Sequence, residues 1–235
     1  GARLWSVRSR VRLPWAWLGY HLWARPQRMG VWMPAGGSNG VGGLGFVEAG
    51  LELGRQIDAG TLPRPAAIYI TGGSAASSAG LALGLGLAGI STHLRIISAL
   101  EPVYLAPWSW RRMVGLIWAE LLRAGLHPEL AARGWPDLLN RAQVTWSIDH
   151  TQVGPGYAVP TAAGERSVAL AHEHGLELET TYTGKCSAAL QAEVAGGRAG
   201  PVLLWNTHAG TDLATLAVPG WESRLPARLQ RVMAG

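Results

Sequence analysis

The stretch with the clearest chemical potential is T-G-G-S-A-A-S-S, residues 71–78. It follows a short apolar run, Ala66–Ile70, rich in β-branched and aromatic residues, and precedes a small, apolar, proline-free run ending near Leu87. A buried strand, a tight turn and a helix fit this order. Such a turn leaves the backbone N–H groups of the first helical turn unpaired. Together with the Ser74 and Ser77 hydroxyls, those groups have the chemistry to hold a phosphate. The same residues also suit an ordinary strand-to-helix connection in which small side chains allow close packing, and this stretch alone leaves both readings open.

Two tyrosines stand in glycine-flanked loops: Tyr157 in G-P-G-Y-A-V-P and Tyr182 in T-T-Y-T-G-K. A tyrosine so placed is either a site residue or an amphipathic plug. Other candidates are weaker. Gly40, Gly42 and Gly45 match G-x-G-x-x-G, but a dinucleotide fold wants an acidic residue at the end of the next strand, and that strand ends at Ile70-Thr71. His172 and His174 flank Glu173 at a spacing that points them apart on a helix, so a solvated helix end is expected and no metal site. His208 has a supporting role at most. Cys186 falls within a helical stretch and reads as a packing residue, and no serine nucleophile elbow is present.

The elements that would position these groups alternate. A helix runs through Val47, Leu51 and Ile57, with Ser38 or Asn39 as its cap. His93–Ser98 reads as a strand, and Pro107 opens a long helix closed by Gly125. Residues 128–140 read as a short helical turn and a loop, Val144–Ile148 as a strand, and Asp149–Pro160 as a loop. A helix follows from Thr161 to about His174. Leu176–Thr181 reads as extended, a helix follows to Ala195, Pro201–Trp205 as a strand, and residues 215–235 as a loop and terminal helix. Val31–Met33 reads as a further short strand. Strand–helix alternation implies an α/β fold in three layers, a mostly parallel sheet flanked by helices. Ligands of such sheets bind outside the carboxyl ends of the strands. The polar segments Thr71–Ser77, Tyr182–Thr183 and Asn206–Thr211 are therefore expected along one edge, with the Tyr157 loop over them.

Composition agrees with a well-buried fold: 48% hydrophobic and 15% charged residues. The longest uninterrupted apolar run, Ala79–Ile90, is too short to span a bilayer. A single cysteine excludes an internal disulfide and makes a reducing, cytoplasmic setting the expectation. The net charge is +5, and no Asp or Glu precedes Glu48. The arginine- and tryptophan-rich residues 1–29 show no helical or strand period and are interrupted by Pro14 and Pro26. They are expected to form an irregular basic arm ahead of a domain spanning 30–235. A nucleic-acid or anionic-surface role for this arm, or a targeting role, is less favoured.

P-A-G-G-S-N-G-V-G-G-L-G-F-V-E-A (34–49), the turn at 71–80, G-P-G-Y-A-V-P-T (154–161), T-Y-T-G-K (181–185) and G-P-V-L-L-W-N-T-H-A-G (200–210) occur in that order. In this combination the chain resembles the D-cysteine desulfhydrase and 1-aminocyclopropane-1-carboxylate deaminase family. These are pyridoxal-phosphate enzymes of fold type II, the tryptophan synthase β-like group. The similarity covers about Gly30–Leu213 and matches the family's C-terminal part.

The resemblance implies pyridoxal 5'-phosphate as cofactor, with Gly73, Ser74, Ala75, Ala76 and Ser77 as its phosphate loop. It implies Tyr182 and Tyr157 as active-site tyrosines, Thr183 facing the pyridine nitrogen, and Thr207 beside the ring. A threonine at 183, where deaminases of the family carry a carboxylate, implies a carbon–sulfur lyase. Such an enzyme eliminates sulfide and ammonia from D-cysteine to leave pyruvate. A deaminase or sulfo-lyase of the same family is the alternative, and a non-catalytic remnant or basic binding module is the alternative of another class. A small amino-acid substrate and a homodimer are implied, with no membrane or nucleic-acid partner. Departures fall at Glu179-Thr180-Thr181, where the family has Asp-Pro-Val, at His208-Ala209, and at Ser77-Ser78. The family's Schiff-base lysine has no counterpart, because Lys185, the only lysine, matches the Gly-Lys position beside the tyrosine. The expectation is an incomplete N-terminal side and a chain that does not turn over substrate alone.

Overall fold

The structure is a computed structural model that describes residues 12–24, 33–211 and 213–233. It divides into two compact units, Met33–Gly210 and Gly1–Trp32 with Thr211–Gly235. In the larger unit four strands, β1 (Ala67–Gly72), β2 (Thr92–Ser98), β3 (Val144–Asp149) and β4 (Val202–Trp205), form one sheet in the order β3-β2-β1-β4. Every pairing is parallel, with Ile70 opposite Ile96 on one side and Trp205 on the other. The fold is α/β, and the sheet is parallel throughout its described strands.

The apolar residues of β1, β2 and β4 are shared between two helical layers, and those of the edge strand β3 join only the main core. Ile68, Ile70, Leu94, Ile96 and Val144 join the main core under α2 (Gly40–Asp58), α3 (Ala76–Leu87), α4 (Pro107–Arg123) and α5 (Pro128–Arg141). Ala67, Tyr69 and Ile97 face the opposite way, onto Cys186 and Ala189 of α7 (Thr183–Ala195), against which α6 (Ala162–Glu173) packs. All six residues of β1 are buried, as a central parallel strand covered on both faces must be. Tyr69 donates its hydroxyl to Glu193 (2.6 Å), and burial first, then Glu193, push that phenol up to about 12.

Asn39, one of the two expected caps, closes α2 by accepting the Gly42 N–H at 2.7 Å. Residues 128–140 differ from the sequence reading. They form one helix to Arg141, broken at Gly134 (φ 79°, ψ 165°), where only glycine sits comfortably, and restarted at Pro136. Leu176–Thr181, expected to be extended, pairs with no strand of the sheet, and its end, Thr180–Thr181, turns on the Glu179 side chain.

In the smaller unit Leu13–Ala24 is a twelve-residue helix, α1, where an irregular arm is expected from sequence. Pro14 lies in its first turn, where its missing N–H is not needed, and its apolar residues surround the axis, which hides any period. The C-terminal segment holds 3-10 turns at Leu213–Leu216 and Trp221–Arg224 and the helix α8, Ala227–Met233. The rest of the expected arm, residues 1–11 and 25–29, and Val31–Trp32 of the expected first strand lie outside the described residues, and Met33 belongs to no strand. Among the described residues no helix is long and apolar enough to cross a membrane.

One polar anchor in the core is directly testable. Trp110, fully buried and stacked on Trp146, donates its indole N–H to the Ser78 hydroxyl at 3.1 Å. Ser78 in turn donates to the Ala75 carbonyl at 3.1 Å, at the start of α3. Ser78→Ala strands a buried indole donor and is expected to cost about 1–3 kcal/mol, read as a lowered urea midpoint at unchanged slope.

Candidate functional site

The sheet's carboxyl edge carries a cavity of about 280 Å³ lined by Gly36, Thr71, Gly72, Gly73, Ser74, Ala75, Ser77, Ser78, Tyr182 and Thr207. β1 delivers Thr71 and Gly72 and α3 starts over the opening. β4, its neighbour, delivers Thr207 two residues past its end. This is the strand-exit position where ligands of open α/β sheets bind.

The cradle is the start of α3. Ala75 takes the left-handed conformation (φ 75°) and caps the helix without a side-chain hydrogen bond. The first helical bond runs from the Ala79 N–H to the Ala75 carbonyl (2.9 Å), so the amides of Ala76, Ser77 and Ser78 precede it. They meet the serine hydroxyls at the positive end of the helix dipole. Every side chain on the cavity wall is uncharged, so an anion there is held by amide dipoles and hydroxyls. The Ser38 hydroxyl bonds that of Ser74, and Gly36 (φ 67°) passes so close that an added Cβ would stand 3.0 Å from the Ser74 hydroxyl oxygen.

Tyr182 also lines the cavity, its ring beside Gly73, where an added Cβ would meet it in ordinary contact at 3.4 Å. The Tyr157 and Tyr182 hydroxyls are 2.6 Å apart, with the rings edge to face at 5.9 Å. Burial first, then Tyr157 and Glu179, hold the Tyr182 phenol well above its ordinary value. Tyr182 therefore keeps its proton at neutral pH, and a proton can pass between the two phenol oxygens only together with a third group.

The Tyr182 backbone is fixed from two directions. The Thr71 hydroxyl donates to its carbonyl at 3.2 Å. The Glu179 carboxylate accepts the N–H groups of Thr181 (2.7 Å), Tyr182 (2.9 Å) and Thr183 (2.8 Å). Burial of Glu179 opposes its ionisation, but these amide bonds outweigh burial and hold the carboxyl below its usual range.

Of the residues singled out from sequence, Gly73, Ser74, Ala75, Ser77, Tyr182 and Thr207 line this cavity, and Tyr157 bonds Tyr182 beside it. Ala76 opens α3 behind the wall. Thr183 does not line the cavity: it is buried, and its hydroxyl accepts the Glu179 N–H at 2.9 Å while facing the Glu179 carboxylate at 3.2 Å. Lys185 is fully buried and donates to the Val153 carbonyl at 2.8 Å, with burial lowering the amine from its ordinary value against the pull of Glu179. Cys186 is buried, and burial pushes its thiol up to about 12, which makes it unreactive at neutral pH. His208 is exposed off the wall, its N–H on the Asn206 side chain at 3.0 Å. Among the described residues no group of three His, Cys, Asp or Glu gathers to hold a metal. Gly36, Ser38 and Glu179 belong to the site without a role assigned from sequence, and Thr71 and Gly72 carry only their place in the polar strand exit. Of the first three, Ser38 has a sequence signal as a possible cap, and Glu179 only as a departure from the resembled family's pattern.

No protein-family model matches the chain. The fold is that of a solved structure described as an ACC deaminase homologue, which superposes with a TM-score of 0.58 over 86% of this chain at 20% identity. The chain spans 56% of the length of that relative.

Proposed function

We propose that this chain forms the phosphate-holding part of a pyridoxal-phosphate site in a lyase or deaminase of fold type II. The observation that carries this reading is the uncapped start of α3, with Ser74 and Ser77 facing a cavity walled by Tyr182. The Ala76, Ser77 and Ser78 amides and the two hydroxyls would hold the phosphate, and Tyr182 and Thr207 would border the ring. Such a cofactor withdraws electrons from the α-carbon of a bound amino acid. The chain's own part is to orient the group, to shield one side of it with the Tyr157–Tyr182 pair, and to hold a proton on the Tyr182 phenol.

For the whole enzyme we propose elimination from D-cysteine, in which water is consumed and pyruvate, ammonia and hydrogen sulfide leave. Cleavage of an aminocyclopropane carboxylate is the alternative. A second reading, ligand binding without turnover by this chain, is favoured by Lys185: its amine is buried, bonded to Val153 and off the cavity wall.

The test is titration of the purified chain with pyridoxal phosphate, followed by absorbance and tryptophan quenching. Binding is expected, pyridoxal without phosphate should bind at least about tenfold more weakly, and Ser74→Ala/Ser77→Ala should weaken pyridoxal phosphate about tenfold, the scale of one or two charge-assisted hydrogen bonds. Equal affinity for both compounds, or for the double variant, overturns the cradle. Sulfide released from D-cysteine by this chain alone overturns the second reading.

A further inference from the structure

Glu179 is the centre of a closed collar. Its carboxylate accepts three successive amides, Thr181 to Thr183, its carbonyl accepts the Gly184 N–H at 2.8 Å, and its own N–H donates to the Thr183 hydroxyl at 2.9 Å. These amides belong to the start of α7. A helix start beside a site attracts anions, and here the protein's own carboxylate fills that position. The α3 start, which has no such side chain, is the one left open on the cavity.

The collar also sets the Tyr182 ring. Tyr182 takes φ −121°, ψ −71°, outside the helical values of the residues that follow. Its N–H is held by Glu179, its carbonyl by Thr71 and its hydroxyl by Tyr157. Of these three anchors, Glu179 alone also bonds the neighbouring amides and the hydroxyl of Thr183, which does not line the cavity.

We infer that Glu179 is the positioning residue of the site: its carboxylate holds the Tyr182 ring as the cavity's ring-side wall and reserves the α3 start for the ligand's phosphate. This rests on the pyridoxal-phosphate reading. It differs from simple helix capping in what it predicts. Capping alone would support α7 and leave ligand preference untouched, whereas a positioning role acts on the ring end of the ligand and spares the phosphate end.

The experiment compares the full chain with Glu179→Ala, Glu179→Gln, Glu179→Asp, Tyr182→Phe and Glu179→Ala/Tyr182→Phe, using pyridoxal phosphate and inorganic phosphate as probes. Glu179→Ala and Glu179→Gln are expected to weaken pyridoxal phosphate about tenfold while inorganic phosphate changes less than about twofold, one charge-assisted bond's worth of positioning being lost at the ring end alone. Glu179→Asp should recover part of the loss, and the double variant should be no worse than the weaker single. Parallel losses for both probes, or additive losses in the double variant, overturn the inference. If the wild-type chain binds neither probe, the functional reading fails on its own, and amide exchange then decides the positioning role. Faster exchange at 181–184 in Glu179→Ala, with the Tyr157 loop loosened alongside, supports it, and unchanged exchange overturns it.

Discussion

Replacing Gly84 by alanine is expected to lower the stability of this protein by about 2–3 kcal/mol, even though alanine is the better helix former by about 1 kcal/mol. The reason lies in how α2 and α3 meet. A Cβ on Gly84 would stand 2.2 Å from the Val47 carbonyl oxygen and 2.9 Å from the Gly50 Cα, and one on Gly50 would stand 2.8 Å from the Gly84 Cα and carbonyl carbon. These obstacles are backbone atoms, which cannot swing aside as the end of a side chain can. The two helices would have to separate and lose packing in the core to which Val47, Leu81 and Leu85 belong. Gly45 is the control: on the exposed side of α2, nothing lies within 4 Å of its added Cβ. Gly45→Ala is therefore expected to stabilise slightly, by at most about 1 kcal/mol. Urea denaturation of both variants checks this, with the Gly84 variant moving to a lower midpoint and the Gly45 variant level or higher. Because α3 also supplies the phosphate cradle at its other end, the Gly84 variant should lose pyridoxal-phosphate affinity as well.

The glycine seam shows how sequence legibility depends on contact distance along the chain. β1 is legible because a central parallel strand buried on both faces is a continuous apolar run bounded by turn residues, and β2 and β3 are legible from β-branched and apolar residues set among polar ones, T-H-L-R-I-I-S and V-T-W-S-I-D, the latter at the sheet edge. The α3 turn is legible because Gly72, Gly73, Ser74 and Ser77 are small and polar between two apolar runs. α1 is not legible: L-P-W-A-W-L-G-Y-H-L-W-A is apolar all round, so no face marks it as a helix. The 128–141 segment is half legible, because Gly134 and Pro136 do break the helix but a second segment resumes after them. The collar is illegible for a different reason. Glu179 follows Gly175 in a stretch of extended composition, L-E-L-E-T-T, and nothing in its spacing reveals that a carboxylate folds back onto the three amides ahead of it. Thr71 and Gly36 join the site only through the sheet and through the approach of residues 36–38 to Ser74, which are contacts distant in sequence.

Lys185 supplies the other large effect. Its side chain is fully buried, its amine has the Val153 carbonyl as partner at 2.8 Å, and its stem packs on Gly164, whose added Cβ would lie 3.6 Å from the Lys185 Cγ. Lys185→Ala removes both the stem and the donor, leaving a void and a buried unpaired carbonyl, and is expected to cost about 3–5 kcal/mol. Lys185→Met keeps the volume and removes a buried amine, so its cost should be nearer to about 1 kcal/mol, the unpaired carbonyl being partly offset by the charge no longer buried. The difference between the two variants separates packing from hydrogen bonding. Val153 lies in the same loop as Tyr157, so Lys185→Ala should also release that loop, seen as faster amide exchange over 150–160 and a weaker hold on Tyr182. Binding of pyridoxal phosphate discriminates further. Lys185 is off the cavity wall, so Lys185→Met should bind the cofactor as the wild type does, with the same absorbance spectrum. A wild-type absorbance band that disappears in Lys185→Met would show that this amine reaches the cofactor's carbonyl, and the assignment of Lys185 to the loop's support would then be wrong.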